Sequence, residues 1–379
     1  MTSAPVSAPT ASGLGARLRR WRNALLSSPR FQAAAAANPL TRPRARAEAA
    51  RLFGLCTGFV HSQVLLACVE LSVLPRLAAR PTLPSELAPG AGLTPEAADR
   101  LLKAAAALRL AYRLGDGRYT LGDTGAALLG NPSVLAMIRH HGDFYKDLAD
   151  PVALLRREGG PTRLAQFWGY GAAGGTGSGA GDAQGYSTLM AQTQAFIADN
   201  IMAAHGLGSY RHIMDVGGGA GAFLAAVAKA CPAPRLTLCD LPAVADLARE
   251  TFAAAGLQAR AEAVGNNCFT EPLPTGADLI TLVRVLHDHD DGPVRDLLAA
   301  TRQALAPGGR LLVAEPMAAT RGAEAMGDSY FGLYLWAMGS GRPRTRAELT
   351  AFLKAAGYRR VREANTRQPL LVRVLVADA

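Results

Sequence analysis

Two stretches hold the side chains best suited to chemistry. The first runs His212-Ile-Met-Asp-Val-Gly-Gly-Gly-Ala-Gly221 and is followed by Leu238-Cys-Asp240. It reads as a buried strand, a glycine turn into a helix, and a second strand ending in a carboxylate. Glycines let a ligand approach the backbone, and a carboxylate in that place accepts hydrogen bonds from ribose hydroxyls. The pattern predicts a nucleoside site at Gly217, Gly219 and Asp240. Gly217, Gly219 and Ala222 also satisfy the nicotinamide pattern G-x-G-x-x-A. On these residues alone a NAD-dependent oxidoreductase stays open.

The second stretch is Leu282-Val-Arg-Val-Leu-His-Asp-His-Asp-Asp291. It follows a third strand, so His287 is expected at the strand's carboxyl end, where open α/β sheets bind ligands. A neutral imidazole there takes a proton from a hydroxyl. Glu315 ends a fourth strand on the same rim, where a carboxylate orients the imidazole and stabilises the imidazolium. The alternative for His287 and His289 is a binuclear metal site. Such sites need more imidazoles, and His61, His140, His141, His205 and His212 form no second cluster on a strand end. No metal is expected.

The elements that must position these groups follow from periodicity. Strands are predicted at 212–216, 235–239, 279–284 and 310–315, with helices between them, Ala306-Pro-Gly-Gly309 as a tight turn, and a last strand at 370–376. This alternation implies an α/β fold with a parallel sheet and helices on both faces. Upstream, residues 48–79 read as helix. Thr94-Pro-Glu-Ala starts another that runs to about Leu110, with Thr94 as N-cap and proline in the first turn. Ala111 to Leu121 alternates around Gly-Asp-Gly and reads as a hairpin. Helix, short helix, helix, hairpin is the order of a winged-helix module. A DNA-binding regulator is the alternative there, but the 95–110 helix is mostly alanine and leucine, whereas base readout needs polar side chains. A dimerisation module, without nucleic acid as a partner, fits better.

The chain has 379 residues and a net charge of +10. Residues 1–51 hold nine arginines and one acid, Glu48, so the charge sits on a leader. Leu14, Leu18, Trp21 and Leu25 follow helical spacing among Arg17, Arg19, Arg20 and Arg22. This is the pattern of an interfacial helix on an anionic membrane, with a loosely packed basic arm as the plainer reading. Leu52 to Leu74 is long enough to span a membrane, but His61, Ser62, Gln63 and Glu70 interrupt it, and a buried helix is expected. Five cysteines without a Cys-x-x-Cys fit a reducing compartment. The start Met1-Thr-Ser-Ala-Pro lacks the pattern of a signal peptide, so a cytoplasmic protein is expected. Residues 169–185 contain eight glycines and read as a flexible loop, and 186–204 returns to helix. The expected domains are a basic leader at 1–44, a winged-helix dimerisation domain at 45–135, a helical linker at 136–204 and a cofactor-binding domain at 205–379.

Taken together, Asp215-Val-Gly-Gly-Gly-Ala-Gly221, Asp240-Leu-Pro242, Pro272-Leu-Pro274, Arg284-Val-Leu-His-Asp288, Pro307-Gly-Gly309 and Ala314-Glu-Pro316 resemble the S-adenosylmethionine-dependent O-methyltransferases of the acetylserotonin and caffeate type. The resemblance implies a Rossmann-like methyltransferase domain, an N-terminal winged-helix domain, a homodimer and a metal-independent methyl transfer. It gives His287 the role of general base and Glu315 that of its acidic partner. Asn267 and Cys268 fall on the family's adenine-side segment, and Arg284 on a cofactor contact of the acetylserotonin-like branch. There are three departures. Asn267 stands for an aspartate, His289 for a tryptophan, and Pro343 for a second catalytic glutamate of the plant enzymes, so His287 is expected to be held by Glu315 alone. The segments 31–42, 59–67, Phe167-Trp168 and 280–289 further resemble the carotenoid hydroxyl methyltransferases of purple phototrophic bacteria. That implies a lipophilic acceptor bearing a C-1 tertiary hydroxyl, with tetrapyrrole or polyketide acceptors as alternatives. An apolar path to His287 would then draw on Phe144, Tyr145, Phe167, Trp168, Met190, Tyr330, Phe331, Tyr334 and Trp336.

Overall fold

The structure is a computed structural model in which residues 14–168, 194 and 197–379 are described. The chain divides into two compact units, Met1–Thr124 and Gly125–Ala379. The glycine-rich stretch 169–185, Met190 and most of the helix expected at 186–204 lie outside the described residues. So does the Trp168 side chain.

In the first unit, helices α1 (Leu14–Leu26), α2 (Pro29–Ala37) and α3 (Arg42–Glu70) precede the winged-helix elements. These are α4 (Val73–Ala79), α5 (Pro84–Ala91), α6 (Pro95–Ala107) and the antiparallel hairpin β1 (Ala111–Arg113) to β2 (Tyr119–Leu121). The Thr94 hydroxyl accepts from Ala97 N at 3.2 Å, the N-cap expected from its sequence. The single helix expected over 48–79 is broken at Ser72, whose φ of 53° is left-handed. The expectation of a buried helix at 52–74 is also corrected. Leu52, Phe53, Leu55, Phe59 and Val60 are exposed, and of α3 only Cys68 and Val69 are buried. The reason is geometric: α3 begins ten residues earlier than its apolar run, and among the described residues nothing covers its middle turns. Among the described residues α3 is the one helix long and apolar enough to cross a membrane by length and composition.

The second unit is built on a seven-stranded sheet of order β5-β4-β3-β6-β7-β9-β8. Its strands are β3 (His212–Val216), β4 (Arg235–Asp240), β5 (Ala261–Gly265), β6 (Ala277–Val283), β7 (Leu305–Glu315), β8 (Arg359–Ala364) and β9 (Arg373–Asp378). Neighbours are parallel from β5 to β7, while β9 runs antiparallel to both β7 and β8. Successive residues of a strand point to opposite faces, and both faces are covered here. Ile213, Leu236, Leu238, Leu279 and Leu312 pack with Phe223, Leu224 and Phe252 on one face. Met214, Ile280, Leu282, Leu311 and Val313 pack with Leu297, Leu298, Leu349 and Leu353 on the other.

Two strands are absent from the sequence reading. β5 is Ala-Glu-Ala-Val-Gly, too short and too poor in β-branched residues to stand out. β8 is Arg-Arg-Val-Arg-Glu-Ala, a charged edge strand of the kind that blocks further pairing. The stretch Ala306-Pro-Gly-Gly309, expected as a turn, lies inside β7, where the pairing with β6 shifts register between Ala277 and Leu279.

Candidate active site

The glycine turn follows β3 on the carboxyl rim of the sheet. Gly217 N donates to Cys239 O at 2.8 Å, tying the turn to β4. Gly217 has φ 71°, and a Cβ there would stand 2.8 Å from the Val285 side chain. Gly219 has φ 60°, and nothing lies within 4 Å of where its Cβ would be. One glycine is required by packing, the other leaves open space beside the backbone. Asp240 faces this turn. Its Oδ2 accepts from Gly219 N at 2.8 Å and its Oδ1 from Leu241 N at 2.7 Å. Burial raises the pKa of Asp240 despite these amides, so further donors such as ribose hydroxyls would stabilise its charge. The cradle fits a nucleoside: open space beside the Gly219 backbone, and a carboxylate whose oxygens each accept one amide and keep lone pairs for further donors.

A second acid lies beneath it. Asp215 is fully buried, accepts from Thr281 Oγ1 at 2.6 Å, and among the described residues has no partner for Oδ2. Burial pushes its carboxyl up to about 7, with Asp240 adding to the effect. Sequence reading placed Asp215 only within a strand. Asn267, expected near the ligand, spends its Oδ1 on Phe269 N at 3.1 Å, while its own amide donates to Glu271 at 3.0 Å. Cys268 is half-buried. Its thiol is pushed up to about 12 by burial and by the charge of Asp240. Asn266, the first residue of that segment, is buried, donates to Pro272 O at 3.0 Å and among the described residues leaves its own Oδ1 unpartnered.

Across the rim, β6 ends at Val283 and Arg284 adopts φ 59°. That left-handed residue turns the chain into a short 3-10 turn, Leu286–Asp288, bearing His287. His287 is 7% exposed. Its Nδ1 bonds Glu315 Oε2, and the other carboxylate oxygen of Glu315 accepts from Val285 N at 2.9 Å and Leu286 N at 2.7 Å. One side chain therefore fixes both the ring and the backbone that carries it. The pairing that strand order predicted is present.

The expectation that Glu315 alone holds His287 is corrected. Asp288 Oδ1 lies 3.1 Å from His287 Nε2. The side chain next in sequence curls back because the 3-10 turn is tight. Burial pulls the His287 pKa down, but the carboxylates of Asp288 and Glu315 outweigh it and the net shift is upward. Asp288 is raised as well, chiefly by burial. The two carboxylates thus favour the protonated ring over the neutral one. Arg284 lies close enough for its charge to act on both His287 and Asp288. His289 instead packs on Phe269, ring centroids 4.5 Å apart.

Next to His287 stands an aromatic wall. The Phe331 ring is 6.1 Å from the His287 ring and 5.0 Å from Tyr330. Tyr330 ends a π-helical turn, Ala325–Tyr330, an irregularity common near functional sites. His140 and His141, on α7 (Pro132–Asp147), bond Tyr334 and Tyr330 respectively, the latter at 2.8 Å. Burial pushes His141 down to about 4, and it raises Tyr330. Both groups are therefore neutral near pH 7. Phe144 packs edge-on to Tyr330 and Tyr334, and Phe167 lies 4.7 Å from His140. Tyr145 reaches the wall's edge, 6.1 Å from His141. Trp336 is turned elsewhere: its Nε1 donates to Leu154 O at 2.9 Å and the Arg157 guanidinium covers its ring. The two histidines were missed because their signal, a His-His pair on an amphipathic helix, resembles ordinary packing.

Comparison with known proteins adds to this geometry. An O-methyltransferase domain model matches residues 145–359, and an O-methyltransferase dimerisation domain model matches 53–131. The demethylspheroidene O-methyltransferase of Cereibacter sphaeroides is 43% identical over 93% of each chain. That of Rhodobacter capsulatus is 41% identical over 90% of this chain and 84% of its own. Human N-acetylserotonin methyltransferase, solved in complex with SAM, shares the fold at 24% identity with a TM-score of 0.70, over 87% of this chain and 97% of its own.

Proposed function

The chain belongs to the O-methyltransferase family, and from that premise we propose that it methylates the C-1 tertiary hydroxyl of an acyclic hydroxycarotenoid of the demethylspheroidene type. It is an S-adenosylmethionine-dependent enzyme. The observation that carries the reading is His287, bracketed by Glu315 and Asp288 on the rim beside a neutral aromatic wall. Such a wall suits a long apolar acceptor with one hydroxyl, since it presents rings and internally paired phenols rather than charge.

In this reading Asp240 accepts the ribose hydroxyls, Gly219 gives the backbone its close approach, Gly217 lets the turn pack on Val285, and Cys268, Asn267 and Arg284 complete the cofactor's surroundings. When bound, S-adenosylmethionine supplies a sulfonium methyl that is electrophilic without a metal. The protein's main contribution is alignment of the hydroxyl with that methyl. An alkanol is too weak an acid to ionise beforehand, so His287 removes its proton as the new bond forms. With Nδ1 committed to Glu315, the proton goes to Nε2. Asp288 and Glu315 then stabilise the imidazolium. General-base assistance of this kind is worth roughly 10²–10⁴ in rate.

The test is a radiolabelled-cofactor assay with demethylspheroidene, a phenol and a porphyrin alcohol as acceptors. Label should appear in the carotenoid ether and disappear in His287→Ala, which should still bind cofactor. Preferential labelling of the phenol or porphyrin would replace the carotenoid reading.

Access to such an acceptor gives the leader a role. Leu18, Trp21 and Leu26 of α1 are 57%, 67% and 51% exposed, on the same helix as exposed Arg17, Arg19, Arg20 and Arg22. This helix rests on an anionic bilayer in our reading. Flotation with phosphatidylglycerol vesicles should fail for Leu18→Ala/Trp21→Ala; equal flotation would remove the leader from that role. In our reading a second copy of the chain covers the exposed Phe53, Leu55, Phe59 and Val60 of α3, which lie inside the dimerisation match.

A further inference from the structure

Four consecutive carbonyls, from Leu286 to His289, form the underside of the turn that carries His287. Each accepts a hydrogen bond from one short segment, Ser340 to Arg344. Leu286 O accepts from Arg344 Nη1 at 2.6 Å, and His287 O from Arg342 N at 2.9 Å. Asp288 O accepts from Ser340 Oγ at 2.8 Å, and His289 O from Arg344 Nη2 at 2.7 Å. Gly341 passes so close that a Cβ would stand 2.1 Å from His287 O, and its φ of 81° keeps the segment curled around the turn. Arg344 is only 2% exposed, and Asp291 Oδ1 accepts from its Nε at 3.0 Å and its Nη2 at 2.8 Å. The guanidinium is thus locked between a carboxylate and two carbonyls that flank the histidine. A planar fork bridges such acceptors in one geometry, which an ammonium cannot reproduce.

We propose that the Ser340–Arg344 segment is the clamp that sets the place of the His287 ring, and that Arg344 is its principal positioning residue. Glu315 hangs the turn by its amides, and the clamp holds it by its carbonyls. Glu315 holds the amide side of the turn and one edge of the ring, but without the clamp on the carbonyls the turn can pivot about those bonds, which strains the Nδ1–Glu315 contact and swings Nε2 away from the acceptor. A displacement of about 1 Å at a reacting group costs about 10² in rate.

The experiment uses the full-length protein and the variants Arg344→Lys and Ser340→Ala. Three quantities are read: kcat with demethylspheroidene, cofactor affinity by calorimetry, and the ¹⁵N titration of the His287 ring without any acceptor. Arg344→Lys is expected to lower kcat about 10- to 10²-fold with cofactor affinity within about twofold, and to shift the His287 titration downward as its bond to Glu315 loosens. Ser340→Ala should lower kcat about 2- to 10-fold, the worth of one hydrogen bond, with a smaller shift of the same sign. An unchanged ring titration in both variants overturns the proposal, as does a fall in cofactor affinity parallel to kcat. If Arg344→Lys does not fold, Ser340→Ala decides by the same two readouts. The ring titration needs no acceptor, so failure of the carotenoid reading leaves the test intact.

Discussion

Replacing Glu315 with glutamine changes one oxygen for an NH₂ group, yet the surroundings dictate a large effect. Glu315 Oε1 serves Val285 N and Leu286 N, and Oε2 serves His287 Nδ1. A glutamine has two orientations. With its NH₂ toward the two amides, both buried amides lose their acceptor at about 1–3 kcal/mol each, or about 2–6 kcal/mol together. With its oxygen toward them, the fold is satisfied and the NH₂ faces His287 Nδ1. The second orientation wins by more than a factor of ten, since 1.36 kcal/mol is tenfold. Nδ1 must then accept, so the neutral ring carries its proton on Nε2, where Asp288 at 3.1 Å receives it. The nitrogen meant to act as base is blocked. Inverting the tautomer in a histidine–carboxylate pair costs up to about 10⁴ in kcat, so Glu315→Gln should fall about 10²–10⁴-fold. Cofactor affinity and thermal stability should change little. Steady-state kinetics with labelled cofactor, paired with calorimetry and a thermal melt, give the three numbers. A variant retaining a tenth of wild-type kcat would refute the tautomer argument, and a collapse in stability would show that the amides, not the ring, dominate.

Other expectations follow from the same surroundings. Asp288 raises the His287 pKa, so Asp288→Asn should move the acid limb of the kcat–pH profile to lower pH; a limb that stays put or moves up would exclude that coupling. Asp240→Ala should weaken cofactor binding about 10- to 10²-fold, as loss of hydrogen bonds to a charged group implies; a calorimetric change below threefold would make Asp240 a turn cap only. Asp215 is raised from 3.8 to about 7, so the folded state holds an extra proton in that window and stability falls as pH rises through it. The shift corresponds to about 4 kcal/mol at 1.36 kcal/mol per unit. Urea melts should therefore show Asp215→Asn gaining on the wild type between pH 4 and 7, and parallel curves would contradict the assignment.

The sequence by itself determined the frame. Strands β3, β4, β6 and β7 announce themselves as largely apolar runs, because a parallel sheet covered on both faces buries nearly every position. Glycines at 217 and 219 mark a backbone that must stay bare, and strand order alone puts Asp240, His287 and Glu315 on one rim. What sequence could not reach depends on side chains that meet across the fold. The charged edge β8 has no apolar signature, since half its neighbours are water. Asp288 is adjacent to His287 in every sequence reading, but only a 3-10 turn brings its carboxylate to Nε2. His140 and His141 read as spare imidazoles until the tertiary fold sets them against Tyr334 and Tyr330, about 190 residues away in the chain. Such pairings are decided by packing of distant elements, to which local periodicity is blind.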